Sequence, residues 1–204
     1  MPCALVVYDS KTGSTAKMAR WAGAALEEKG WAVVTGPMEK APKIEGMDLV
    51  LVGGPLRFGR PSKALAGFVK KNRPALKKTP CAFFLCGISL GIVAREPLPD
   101  VGIFIDPGFD PVVYDNKFAD LMAYTHTAQH YLKHLLRHTG DIAPLGIGFF
   151  RGAMDFARLN AWERLALYFI MIFVKDFEEK DYANPKAVAG WAAEMAGKAA
   201  RQRG

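Results

Sequence analysis

The sequence predicts a doubly wound α/β fold: a five-stranded parallel sheet in the order 2-1-3-4-5, with helices on both faces. Three observations carry that prediction. Short apolar runs alternate with amphipathic segments along the whole chain of 204 residues. Met47 to Gly53 (MDLVLVG) is almost continuously apolar, as expected of a strand covered on both faces. Loops rich in Gly, Ser and Pro follow the first, third and fourth apolar runs, which is where such a fold places its ligand.

The elements follow in order. Cys3 to Tyr8 reads as the first strand. Met18, Trp21, Ala22, Ala25 and Leu26 then recur at helical spacing until Gly30 ends the helix. Trp31 to Thr35 is a short second strand, and Pro37 to Gly46 is a connection. The third strand, Met47 to Gly53, runs into a loop from Gly53 to Pro61, by its Gly and Pro content. Ser62 caps a helix carrying Leu65, Phe68 and Val69, whose basic tail (Lys70, Lys71, Arg73, Lys77, Lys78) reads as a solvated face. Cys81 to Cys86 (CAFFLC) is the fourth strand. It opens into Gly87-Ile88-Ser89-Leu90-Gly91, and a Pro- and Gly-rich stretch from Arg95 to about Val113 follows, long for a compact domain. Asn116 to His138 reads as a helix, and Asp141 to Phe150 contains the fifth strand. Arg158 to Lys175 is an apolar-rich helix, and Pro185 starts the last one, to about Ala200. The expectation is one domain over 1–204, with a helical insertion at about 151–183.

Composition narrows the function. No apolar run reaches the 18 residues of a standard transmembrane helix, and the N-terminus lacks a signal-peptide layout. Cys3, Cys81 and Cys86 fall in apolar runs and form no CxxC, which suits a reducing cytoplasm and core packing better than disulfides or a metal. The net charge of +7 points to an anionic partner: a small-molecule substrate, lipid headgroups or nucleic acid. No nucleic-acid motif accompanies the charge, so nucleic acid is set aside.

The chemistry centres on Ser10-Lys11-Thr12-Gly13-Ser14-Thr15, between the first strand and the first helix. The first turn of a helix offers unpaired N–H groups and the positive end of a dipole. Four hydroxyls and a Gly in six residues add donors and a tight curl, which together make a phosphate site. The plainer reading is a strand-to-helix turn capped by Ser14 or Thr15. Neither GxxxxGK[ST] nor a GxGxxG after a strand occurs, since Gly146-Ile147-Gly148 lacks the third Gly. A single phosphate held mainly by neutral donors suits a mononucleotide.

The form [ST]-x-T-G-x-T, spelled in full by Ser10 to Thr15, resembles the flavodoxin phosphate loop. The resemblance implies FMN, with its phosphate on Ser10, Thr12, Gly13, Ser14 and Thr15, around Lys11. It implies an isoalloxazine ring between the loop of Pro55, Leu56, Arg57, Phe58 and Gly59 and that of Cys86, Gly87, Ile88, Ser89 and Leu90. Leu56-Arg57-Phe58-Gly59, Phe68-Val69-Lys70-Lys71, Phe150-Arg151 and Trp162-Glu163-Arg164 are similar to the menaquinone-dependent protoporphyrinogen dehydrogenases, a flavodoxin-like family. That narrower likeness implies an oxidoreductase with an anionic substrate such as a porphyrinogen and a quinone or other electron acceptor.

In such a site the cofactor carries the electrons, so the protein needs neither a nucleophile nor a metal. Arg57 is the candidate catalytic residue, steadying negative charge on the reduced ring or binding a carboxylate; the alternative is a surface arginine. Ordinary electron-shuttling flavodoxins are usually acidic and flank the ring with an aromatic residue after strand four. This chain is basic, and Gly87 to Val93 contains no aromatic residue. A flavodoxin-type electron carrier is the second reading, and a binding module of this fold without flavin the third. Leu165 to Val174 (LALYFIMIFV) is about 15 Å long as a helix, too short for a bilayer core of about 30 Å. With Trp162 and basic flanks it suits a peripheral helix on the inner face of the membrane, or equally a buried helix or dimer face. His126, His130, His134 and His138 step by four along one predicted helix, opposite its apolar face, as a solvated stripe or a surface metal site; no metal is assigned.

Overall fold

The computed structural model describes residues 1–57, 59–115, 124–153 and 180–203. In chain order its elements are β1 (Cys3–Tyr8), α1 (Ser14–Glu28), β2 (Ala32–Pro37), β3 (Leu49–Arg57), β4 (Arg60–Pro61), α2 (Lys63–Leu76), β5 (Cys81–Gly87), β6 (Gly91–Val93), β7 (Ile103–Ile105), β8 (Val112–Tyr114), α3 (Ala128–Thr139), β9 (Ile147–Arg151) and α4 (Pro185–Arg203). The main sheet runs β2-β1-β3-β5-β9-β7, and each neighbouring pair on that path is parallel. The predicted order 2-1-3-4-5 is therefore present as β2-β1-β3-β5-β9.

A sixth strand extends it. β7 comes from the stretch read as a long loop and pairs outside β9, Ile103 beside Ile147 and Ile105 beside Phe149. The same stretch supplies β8, which pairs with β6 in a small parallel sheet. Its isolated apolar triplets, Ile103–Ile105 and Val112–Tyr114, are too short to stand out among Pro and Gly.

The strands form because their side chains are covered on both faces. β5 is buried along its whole length, and β3 from Leu49 to Gly54. One face packs Val50, Val52, Phe83 and Phe149 against Leu65 and Phe68 of α2 and Leu132 and Leu135 of α3. The other packs Ala4, Val6, Leu51 and Phe84 against Met18 and Leu26 of α1 and Trp191 and Met195 of α4. Each fully buried Phe or Leu contributes about 1.5–3 kcal/mol. Trp191 meets Phe150 edge-on at 5.5 Å and Phe84 at 6.2 Å. Phe84 lies across Gly53 so closely that a Cβ there would sit 1.9 Å from the ring.

Several boundaries differ from the expectation. β3 continues through Gly53-Gly54-Pro55-Leu56 to Arg57, where a loop was expected. Leu56 and Arg57 pair with Pro61 and Arg60 in a hairpin turned at Gly59, whose φ is 75°. Pro55 fits at this end because the strand is leaving the sheet interior. Part of the basic tail of α2 is engaged rather than merely solvated: Arg73 Nε and Lys77 Nζ meet the Asp141 carboxylate at 2.9 and 2.7 Å. These two cations pull the Asp141 carboxyl down to about 2.

The helix expected from Asn116 to His138 is interrupted: Tyr124 is helical, Thr125 to Thr127 are not, and α3 begins at Ala128, where Thr127 accepts from the His130 N–H and caps it; residues 116–123 lie outside the described residues. His126 thus lies ahead of α3. His130 and His134 are half-buried rather than on a solvent stripe, with ring centroids 4.6 Å apart. A Cβ on Gly59 would lie 3.6 Å from His130 Nε2, so the hairpin turn rests on this histidine. Burial lowers the pKa of His130, and the neighbouring His134, Arg60, Lys133 and His126 lower it further. Phe58 and the segment Leu165 to Val174 lie outside the described residues. Among the described residues no helix is long and apolar enough to cross a membrane.

Candidate functional site

The carboxyl ends of β1, β3 and β5 bring three loops together, as expected of the parallel order. The first is the hydroxyl-rich turn. Gly13 adopts φ 94°, ψ −17°, a left-handed conformation that costs a residue with a Cβ about 1 kcal/mol or more. Ser10 Oγ accepts from the Gly13 N–H at 3.1 Å and fixes the curl. No side chain caps α1. In contrast, Ser62 caps α2, Thr127 caps α3, and Asn184 accepts from the Ala187 N–H at the start of α4. The first turn of α1 therefore presents its N–H groups, with the helix dipole behind them, to an external acceptor. That arrangement, together with the hydroxyls of Ser10 and Thr12, fits the phosphate of FMN.

Ser14 is turned the other way. The residue is 8% exposed, and its hydroxyl accepts from the Ala153 N–H at 3.3 Å. Thr15 is buried and hydrogen-bonds Cys86 at the end of β5. Burial pushes the Cys86 thiol up to about 12, so it stays protonated and is a packing group rather than a nucleophile.

The second and third loops touch. A Cβ on Gly87 would lie 3.3 Å from Leu56 Cδ1, so the glycine lets the end of β3 close onto the end of β5. Pro55, Leu56 and Arg57 are half-buried, and Pro55 pairs in register with Cys86. The charge of Arg57 reaches Cys86 and lowers its pKa against the burial effect. Along the third loop Ile88 is half-buried, Ser89 exposed and Leu90 buried.

A fourth flank was not anticipated. β9 ends beside β5, with Arg151 opposite Gly87, and the Gly152 N–H donates to the Gly87 carbonyl at 2.8 Å. A Cβ on Gly152 would lie 2.6 Å from Cys86 Sγ, so only glycine permits this approach. Ala153 bridges to Asp181, which pairs with Lys17 of α1. Both feet of the segment between β9 and α4 are thus sewn to the phosphate-loop helix. Asp106, fully buried beyond β7, joins them. Its carboxylate accepts from the Gly108 N–H at 2.9 Å and from the Arg151 N–H and Asn184 Nδ2 at 3.3 Å each.

Local spelling held two signals for this flank. Asp106-Pro107-Gly108 is a side-chain-stabilised turn, and Asn184-Pro185 is a helix start with Pro at the first position. Nothing local tied the two to Arg151. Among the described residues no group of three or more His, Cys, Asp or Glu side chains is placed to hold a metal.

Comparison with known proteins agrees with this geometry. A flavodoxin-domain family model matches residues 5–181. The chain is 30% identical over 95 residues to protoporphyrinogen IX dehydrogenase [quinone] from Escherichia coli (strain K12), covering 46% of this chain and 50% of that protein. It therefore spans about half the length of the curated relatives it matches. A short-chain flavodoxin associated with a non-canonical PDU bacterial microcompartment superposes over 98% of this chain and 99% of its own, with TM-score 0.50 and 12% identity. Two-electron reduced Megasphaera elsdenii flavodoxin superposes over 94% and 98%, with TM-score 0.49 and 15% identity. With this strand order and a family match across most of its length, the chain belongs to the flavodoxin-domain family and is an FMN-type flavoprotein.

Proposed function

We propose that this protein is an FMN-dependent oxidoreductase that oxidises protoporphyrinogen and passes the electrons to a quinone. The observation that carries the reading is the meeting of three loops around an uncapped helix start at the carboxyl edge of the sheet. The likeness to a quinone-linked dehydrogenase supports the choice of substrate and acceptor. Ser10, Lys11, Thr12, Gly13, Ser14 and Thr15 form the phosphate loop, with Ser14 also serving the fourth flank. Pro55, Leu56, Arg57, Phe58 and Gly59 form one wall of the ring site, and Cys86, Gly87, Ile88, Ser89 and Leu90 the other. Bound FMN supplies a two-electron acceptor. Arg57 holds a positive charge at that edge, where it stabilises negative charge developing on the ring or binds a substrate carboxylate.

We read 1–204 as one domain with an insertion at about 151–183 whose sequence suits contact with a lipid-soluble acceptor. A peripheral position on the inner face of the cytoplasmic membrane rests on the sequence of Leu165 to Val174. The family match is shared with plain electron carriers, so the carrier reading stays as the alternative. The test is steady-state oxidation of protoporphyrinogen under anaerobic conditions with menadione as acceptor. Protein-dependent porphyrin fluorescence, lost on removal of FMN, is the expected result. Electron exchange with a flavodoxin reductase but no porphyrin product favours the carrier.

A further inference from the structure

Arg151 is held by an aromatic ring and a backbone carbonyl. Lys17, Arg73, Lys77, Lys198 and Arg203 each meet a carboxylate. The guanidinium of Arg151 lies 3.8 Å from the centre of the Tyr182 ring and donates through Nη1 to the Gly108 carbonyl at 3.1 Å. Its Nε is buried without a hydrogen-bond partner among the described residues. A guanidinium carries five N–H donors in a rigid fork, and leaving a buried one unpaired costs free energy. Asp106 turns its oxygens to the backbone N–H of Arg151 and to two other donors. Backbone, ring and carbonyl thus fix the position of a half-buried cation, opposite Gly87 at the carboxyl edge.

We propose that Arg151 is a specificity-determining residue that recognises a carboxylate of the substrate. A planar fork matches the two oxygens of a carboxylate in a way a lysine does not. The cation is preorganised by Tyr182 and Gly108, so little ordering is lost on binding. This inference rests on the proposed oxidation of an anionic substrate at the FMN site. The FMN phosphate is the other anion within the site. It is held at the first loop, and Arg151 leaves its binding unchanged.

The test uses the full chain loaded with FMN, and two probes: protoporphyrin and its dimethyl ester, followed by fluorescence anisotropy in one dilute detergent. The wild-type protein binds the diacid more tightly than the diester. Arg151→Gln weakens the diacid roughly tenfold to a hundredfold, the range of a charge-assisted hydrogen bond, and leaves the diester unchanged. Arg151→Lys, with charge but no fork, falls between. FMN affinity is unchanged in both variants. If Arg151→Gln does not load FMN, Tyr182→Leu decides, and it weakens the diacid severalfold while sparing the diester. A diacid preference that survives both Arg151→Gln and Tyr182→Leu overturns the inference but not the proposed function. Failure of the wild-type protein to bind either probe overturns both. Weaker FMN with an unchanged diacid preference assigns Arg151 to the cofactor and overturns the inference.

Discussion

The first loop and the β9 flank adjoin the same edge of the sheet and are built in opposite ways. The first loop is six consecutive residues, curled by Gly13 and pinned by a bond spanning three positions, Ser10 to Gly13. The flank is drawn from three separate places: Asp106 to Gly108, Arg151 to Ala153, and Asp181 to Asn184. Its bonds span 139 residues from Ser14 to Ala153 and as many as 164 from Lys17 to Asp181. At the loop, the first turn of α1 has no side-chain cap. The flank closes nearly all of its own donors, since the Asp106 carboxylate takes three. The two parts of the edge share few residues, Ser14 among them.

Substitutions test that separation. The largest effect is expected from Thr12→Asp. A carboxylate in the phosphate loop repels the phosphate, and FMN affinity falls by on the order of a hundredfold or more, while the melting temperature of the FMN-free protein holds. Calorimetric titration with FMN checks it, and unchanged affinity removes the loop from the site. Asp106→Ala is next and acts in the opposite sense. Three donors lose a buried acceptor, which costs roughly 3 kcal/mol of stability by urea denaturation. FMN affinity of the folded fraction changes little. A large loss of FMN affinity in that variant shows that loop and flank are one unit. Ser14→Ala is the smallest, about 1 kcal/mol of stability, because the Ala153 N–H loses its acceptor. A stronger effect on FMN affinity than on stability returns Ser14 to the phosphate.

The same contrast explains what could be read beforehand. The hydroxyl-rich turn from Ser10 to Thr15 was legible as a strand-to-helix junction because hydroxyls, glycine and helix start are neighbours in the chain. β1, β3 and β5 were legible because parallel strands buried on both faces are runs of apolar residues, as in CAFFLC. β7 and β8 were missed because three residues carry no period, and only pairing with β9 and β6 makes them strands. Pro55 to Arg57 was read as loop because Gly and Pro usually end a strand. Here the hairpin with Arg60 and Pro61 carries the strand two residues further. The histidine periodicity was present, but the chain breaks its helix at Thr125 to Thr127, leaving His126 ahead of α3, and the Gly59 turn covers His130. Arg151 carries no local signal in the sequence, since its setting depends on Tyr182 and Gly108, 31 and 43 residues away along the chain.

The most direct test of the account is an anaerobic half-reaction. FMN-loaded protein is mixed with protoporphyrinogen in the absence of any acceptor, and the flavin absorbance is followed. The account predicts bleaching with concurrent porphyrin fluorescence, and recovery of the absorbance when menadione is added. A flavin that stays oxidised with protoporphyrinogen, yet bleaches with dithionite and recovers with menadione, contradicts it.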